Sequence, residues 1–189
     1  TTDITRTYPL GELTEDEKRF YTWTLQSHID LAKAVWLDYC ECKMIDTIAR
    51  EPLWRHLINY RCGTGHSVSF VGNVHEGPHS LRGTNSVLMR PGMVVTDEPG
   101  VYETDLVGVR IENELVCVHK ADNQYGTFLG FEPLMFVPIA TSPILPGVLD
   151  RDEIDWLNNY HRTVFTKLAP HLNDEERVWL AEKCAAIGC

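Results

Sequence analysis

The stretch Val107-Gly108-Val109-Arg110-Ile111-Glu112-Asn113-Glu114-Leu115-Val116-Cys117-Val118 decides how the fold is read. Val109, Ile111, Leu115 and Cys117 share one parity, while Arg110, Glu112 and Glu114 share the other. Successive side chains of a strand point to opposite faces, so this alternation predicts one strand over 107–118, apolar on one face and charged on the other. On either side of it, Ser67–Val74 and Met93–Thr96 are rich in β-branched and aromatic residues. Thr127–Phe131 and Leu134–Val137 read as further short strands. Gly77-Pro78, Pro91-Gly92 and Pro99-Gly100 punctuate the region as turns, so the middle of the chain is expected to form an antiparallel sheet.

Helices flank this sheet in sequence. Thr14 with Glu17 three residues later is a capping-box pattern. Phe20, Trp23, Thr24, Ile29, Leu31, Ala34 and Val35 then recur at helical spacing, predicting a helix from Thr14 that fades near Leu37. A shorter helix is expected over Met44–Arg50, with Pro52 opening another turn through Leu57. Asp150 with Glu153 predicts a second capped start, and Pro170 a stop. A last helix is expected over Asn173–Ala186. The chain thus reads as α+β, with 1–140 as the main unit and 141–189 as its helical extension.

Composition excludes several function classes. Of 189 residues, 43% are hydrophobic and 23% charged, which suits a folded domain rather than a disordered chain. Seventeen Lys and Arg against 27 Asp and Glu leave a formal charge of −10, with no basic cluster, so no nucleic-acid partner is expected. The longest uncharged stretch, Pro133–Leu149, carries four prolines and is too short to span a bilayer, so no membrane partner is expected either. Thr1–Arg6 is polar and charged, and no signal peptide is expected there. The six cysteines are irregularly spaced, which favours reduced thiols and a cytoplasmic location.

Four segments carry chemistry. They are Thr1–Thr7, Gly63-Thr64-Gly65-His66 with the later His75-Glu76-Gly77-Pro78, Thr96-Asp97-Glu98-Pro99-Gly100, and Gly108–Asn113. One imidazole and three carboxylates, His66, Asp3, Glu98 and Glu112, could meet at one place and suit Mn, Co, Fe or Zn. Glu112 interrupts an apolar strand, and buried charges are paired or metal-bound. Arg110 lies on the same face and could orient a carboxylate from behind. Taken singly, each of these residues also suits an ordinary turn or surface position, and spacing alone leaves both readings open.

The ordered segments resemble the pita-bread metallopeptidases, which share the creatinase/aminopeptidase fold, and most closely the aminopeptidase P branch. Asn73–Pro78 continues the metal-His segment of that branch. Phe131-Glu132-Pro133-Leu134 to Pro138-Ile139 and Trp156–His161 resemble its C-terminal block. The resemblance implies a curved antiparallel sheet with outer helices. It also implies a dinuclear metal centre, often Mn, with Zn, Co or Fe as alternatives, that hydrolyses the peptide bond before a proline at position two. By position, Asp3 and Glu112 would bridge the metals. His66 and Glu98 would ligate one of them, Glu98 would be the general base, and His75 would steady the substrate. Arg110 would support a ligand.

Departures set further expectations. The family uses five ligands, and its first Asp would precede Thr1, so one metal site is expected to be incomplete and the chain to be a C-terminal portion, weakly active or inactive alone. Cys62 stands where the branch has a substrate-contacting His, and Ser67 and Ser69 stand where it prefers glycine. The alternative reading is a non-catalytic metal-binding or assembly module; a prolidase or methionine aminopeptidase fits the tail less well. The expected partners are a peptide with proline second, and either a second copy of the chain in a homo-oligomer or the missing N-terminal half.

Overall fold

A computed structural model describes residues 2–188. Thr1 and Cys189, counted above in the first segment and among the thiols, lie outside the described residues. Four strands form the main antiparallel sheet, in the order β1 (Val35–Leu37), β8 (Gly126–Pro133), β7 (Asn113–Asn123) and β4 (Val94–Asp97). Two short ribbons flank it: β2 (Gly65–His66) with β3 (Ser80–Leu81), and β5 (Gly100–Glu103) with β6 (Val107–Arg110). A Ser67–Val95 bridge ties β2 to the edge of β4.

The helices begin where their caps dictate. Glu17 N–H donates to Thr14 Oγ1 at 3.2 Å and Thr14 N–H to Glu17 Oε2 at 2.7 Å, starting α1 (Glu15–Ala32). The same reciprocal pair at Asp150 and Glu153 starts α3 (Arg151–Leu168), and Asn173 with Glu176 starts α4 (Asp174–Lys183). A 3-10 turn at Ala169–His171 separates the last two, as Pro170 requires.

Two packed cores result. Trp36, Ile45, Val95, Leu115, Leu129 and Phe131 fill the space between α2 (Cys42–Trp54) and the main sheet. Tyr21, Leu25 and Ile29 of α1 meet Val109, Ile111, Ile139, Leu157 and Val164 in the other. Leu25, Ile29 and Leu157 are wholly buried, each worth about 1.5–3 kcal/mol. The C-terminal helices therefore share a core with the strand that leads to Glu112.

Several sequence expectations are corrected. α1 ends at Ala32, not near Leu37, because Val35–Leu37 pair with Phe128–Gly130 as the outer strand of the sheet. α2 runs from Cys42 to Trp54 with Pro52 inside it, rather than breaking before the proline. The single strand expected over 107–118 is two strands, divided at Ile111–Glu112, where the N-terminal segment bridges in at Thr5. Ser67–Val74 is mostly loop, with Phe70 and Val71 facing solvent. Leu134–Val137 is not a strand; the Val137 carbonyl accepts from Arg6 instead of a ladder partner.

Candidate metal centre

His66 ends β2, close against β4. A Cβ at Gly65 would lie 1.7 Å from the Thr96 carbonyl oxygen, so only glycine lets this backbone approach. The His66 N–H donates to Thr96 Oγ1 at 2.9 Å, and its Nδ1 lies 3.2 Å from the Ser67 carbonyl. That contact turns Nε2 toward the carboxylates, 3.1 Å from Glu98 Oε1 and 3.5 Å from Asp3 Oδ2. Burial lowers the basicity of the ring, but the bonds to Glu98 outweigh it and the net shift is upward.

Glu98 follows β4 directly. Its N–H donates to the Thr64 carbonyl at 2.8 Å. Thr96 Oγ1 donates to its Oε1 at 2.9 Å, and Arg110 Nη1 pairs with its Oε2 at 2.9 Å. Burial pushes this carboxyl up, but His66, Thr96 and Arg110 together hold it below its ordinary value. Arg110 thus supports Glu98 rather than its strand neighbour Glu112.

Glu112 arrives from the break between β6 and β7. Its N–H donates to the Thr5 carbonyl at 3.0 Å, and Thr5 Oγ1 donates to its Oε2. Burial, followed by the negative charges of Glu98 and Asp3, pushes its carboxyl up to about 7, against the pull of the Thr5 hydroxyl. Asp3 is half-buried beside it, and its N–H donates to Glu114 Oε1 at 2.9 Å. The His75 ring is exposed and stands edge-on to His66, with centroids 4.0 Å apart. Cys62 is half-buried, its Sγ donating to the Gly100 carbonyl at 3.4 Å.

Of the residues named from sequence, the structure brings His66 against Glu98 and Asp3, sets His75 beside His66 and Arg110 behind Glu98, and leaves Glu112 near enough to feel the charges of Glu98 and Asp3. Among the described residues, no group of three or more His, Cys, Asp or Glu side chains is arranged so that it could hold a metal ion as it stands. His66 Nε2 instead contacts Glu98 and Asp3 directly, and the Glu112 carboxylate is bonded to Thr5. Their chemistry still fits a divalent cation, since one imidazole and several buried or half-buried carboxylates converge, and a positive charge there would relieve the crowding around Glu112.

Sequence reasoning passed over Glu114. It is buried, pairs across the sheet with Thr96, and receives the Asp3 amide; burial raises its carboxyl above the ordinary range. Its shared parity with Glu112 was the available signal. Also missed was Arg6, whose guanidinium donates to the Glu112 carbonyl at 2.5 Å, Asn113 Oδ1 at 2.7 Å, the Val137 carbonyl at 2.8 Å and the Tyr160 hydroxyl at 2.9 Å.

The curled antiparallel half-barrel sheet with its helices is the pita-bread fold of the creatinase type. The sequence matches metallopeptidase family M24 over residues 1–119 and the C-terminal region of peptidase M24 over residues 127–187, and the chain belongs to family M24. Aminopeptidase P1 of Lotus japonicus is 40% identical over 194 residues, a match covering 100% of this chain and 29% of that protein. Aminopeptidase P2 of Arabidopsis thaliana is 44% identical over 178 residues, covering 91% of this chain and 25% of the relative. The X-prolyl aminopeptidase of Caenorhabditis elegans, described as a cytosolic enzyme with a di-nuclear active site, superposes with a TM-score of 0.89 at 36% identity. That match covers 98% of this chain and 31% of the other. A prolidase from Pyrococcus furiosus gives 0.59 at 29% identity over 70% of this chain and 36% of its own. The chain thus spans less than a third of the length of these aminopeptidase P relatives.

Proposed function

We propose that this chain supplies part of the active site of a metal-dependent X-Pro aminopeptidase, which cleaves the bond before a proline at position two of a peptide. The observation that supports this most is the convergence of Asp3, His66, Glu98 and Glu112 from four separated segments. Those four side chains would hold divalent metal, Mn being our first choice. Bound metal would acidify a water and draw charge from the scissile carbonyl.

The protein's own groups divide the remaining work. Glu98, held ionised by His66, Thr96 and Arg110, accepts a proton at its carboxylate. Arg110 fixes Glu98 Oε2, which leaves Oε1 toward His66. His75, exposed beside the centre, donates to the substrate carbonyl. Cys62 lies near the same wall and offers a smaller, weaker donor to substrate than an imidazole would. Asp3 and Glu112 would help to hold the metal, and no described residue supplies the first Asp that the family resemblance implies. Among the described residues no helix is long and apolar enough to cross a membrane, and we assign the protein to the cytoplasm, as for its C. elegans relative.

The test compares tripeptides with proline or alanine second, with Mn added, on the longest polypeptide that carries these residues. Selective cleavage before proline, lost in Glu98→Gln, is the expected result. Equal cleavage of both peptides, or full activity in Glu98→Gln, contradicts the assignment. The 189-residue chain by itself is expected to turn over far more slowly than the longer polypeptide.

A further inference from the structure

Behind the His66 loop, away from the carboxylates, lies a buried polar cluster that the chemistry above does not use. Asp46 and Arg50 stand one turn apart on α2, and their side chains are 2% and 12% exposed. Arg50 Nε donates to Asp46 Oδ2 at 2.8 Å. Its two terminal nitrogens donate to the Tyr60 carbonyl at 2.9 Å, Asn59 Oδ1 at 3.1 Å and the Cys62 carbonyl at 3.0 Å. The guanidinium carbon lies 4.2 Å from the Tyr60 ring centroid. Asp46 Oδ1 accepts from Thr64 Oγ1, which also bonds the Tyr60 hydroxyl. Thr64 is wholly buried, and its carbonyl accepts the Glu98 N–H.

An i,i+4 Asp–Arg pair on a helix ordinarily faces water and contributes a few tenths of a kcal/mol. This pair is largely buried, and both terminal nitrogens of the guanidinium are used on one loop while Nε holds Asp46. The loop runs from Asn59 to Thr64, directly before Gly65 and His66. We propose that Asp46 and Arg50 are positioning residues of the metal centre: they fix the loop that aims His66, and through the Thr64 carbonyl they fix the start of Glu98. The cluster acts on one side only, since none of its bonds reaches Asp3 or Glu112. This inference rests on the metal-centre reading above, and its test separates the two.

The 189-residue chain is compared with Asp46→Asn, Arg50→Ala, Arg50→Lys and Arg55→Ala. Arg55 is an exposed control that pairs with Glu51 on the same helix. Mn(II) affinity is read by electron paramagnetic resonance, and amide hydrogen exchange is followed at Thr64, His66 and Glu98, with Cys117 in the main sheet as reference. Asp46→Asn and Arg50→Ala are expected to weaken Mn(II) binding by about 10- to 100-fold, the usual cost of losing an outer support of a ligand. Exchange at Thr64, His66 and Glu98 is expected to quicken while Cys117 is unchanged. Arg50→Lys keeps the charge beside Asp46 but not the fork, so it is expected to fall between Arg50→Ala and wild type; it carries the test if Arg50→Ala does not fold. Unchanged affinity and exchange, or equal acceleration at Cys117, overturns the proposal. Should wild type and His66→Ala bind Mn(II) alike, the metal reading falls, and exchange alone decides: selective quickening upholds the clamp, and unchanged exchange overturns it.

Discussion

The two sides of the candidate centre are built differently. His66 and Glu98 come from strands embedded in the first core, with Gly65 pressed on the Thr96 carbonyl and the Thr64 carbonyl receiving the Glu98 amide. Glu112 comes from a break between strands and Asp3 from the N-terminal segment, which is laid beside it by the Thr5–Glu112 bridge, the Thr7 hydroxyl on the Arg110 backbone and the Asp3 amide on Glu114. Arg6 then ties that second side to more distant elements, with bonds that reach Asn113, Val137, Pro138 and Tyr160. Tyr160 belongs to α3, 154 residues along the chain from Arg6. One side is therefore fixed by backbone packing, the other by the bonds of one terminal segment, among which those of Arg6 reach farthest. Segments held by few buried contacts open more readily than sheet cores. The Asp3 side should be the first to loosen under any stress.

Acid should produce the largest difference. The Ile139 N–H donates to His161 Nε2 at 3.1 Å, close in sequence to the Val137 and Pro138 carbonyls that Arg6 grips. Burial pushes the His161 imidazole down to about 4, and its bond to the Ile139 amide also requires a neutral Nε2. A ring whose folded pKa lies below its unfolded value of about 6.5 costs nothing above that pH. Its contribution is lost as pH falls from about 6.5 to about 4, amounting to about 3 kcal/mol. Urea unfolding followed from pH 7 to pH 4 should show that loss, and His161→Gln should flatten it. Amides at Glu112 and Ile139 should exchange faster before those at Glu98 and Cys117.

Arg6→Ala should come next. It strips the partners from Tyr160, Asn113 and the Glu112 carbonyl, and bonds to a charged group are worth about 1.5–3 kcal/mol each at most. A net loss of about 2 kcal/mol is expected in urea unfolding. The Glu112 amide should lose protection while the His66 amide keeps it. Equal loss on both sides would break the comparison. Tyr160→Phe removes only the hydroxyl that Arg6 and the Val137 amide share, and about 1 kcal/mol is expected, again confined to the Asp3 side.

Much of this was readable in the sequence where local chemistry decides. The capping residues Thr14, Asp150 and Asn173 start helices because their side chains take the third amide. The order of the His and Glu segments marked His66, Glu98 and Glu112, and the structure brings them together with Asp3. What stayed hidden depends on distant partners. Val35–Leu37 reads as the end of a helix until β8 is present to pair with it. Phe70 and Val71 have strand-forming side chains but no strand beside them. The break at Ile111–Glu112 exists because Thr5 pairs there, which no alternation pattern contains. Asp46 and Arg50 look like a surface pair at helical spacing, and only the loop folded over them makes them buried.

The most direct test of the central claim is calorimetric titration of the chain with Mn(II) near pH 7.5, repeated on His66→Ala and Glu98→Ala. No more than one well-held ion per wild-type chain is expected, with affinity falling by at least about 100-fold in each variant, the upper end of what losing even an outer support costs. If both variants bind Mn(II) as tightly as wild type does, His66 and Glu98 do not form a metal centre.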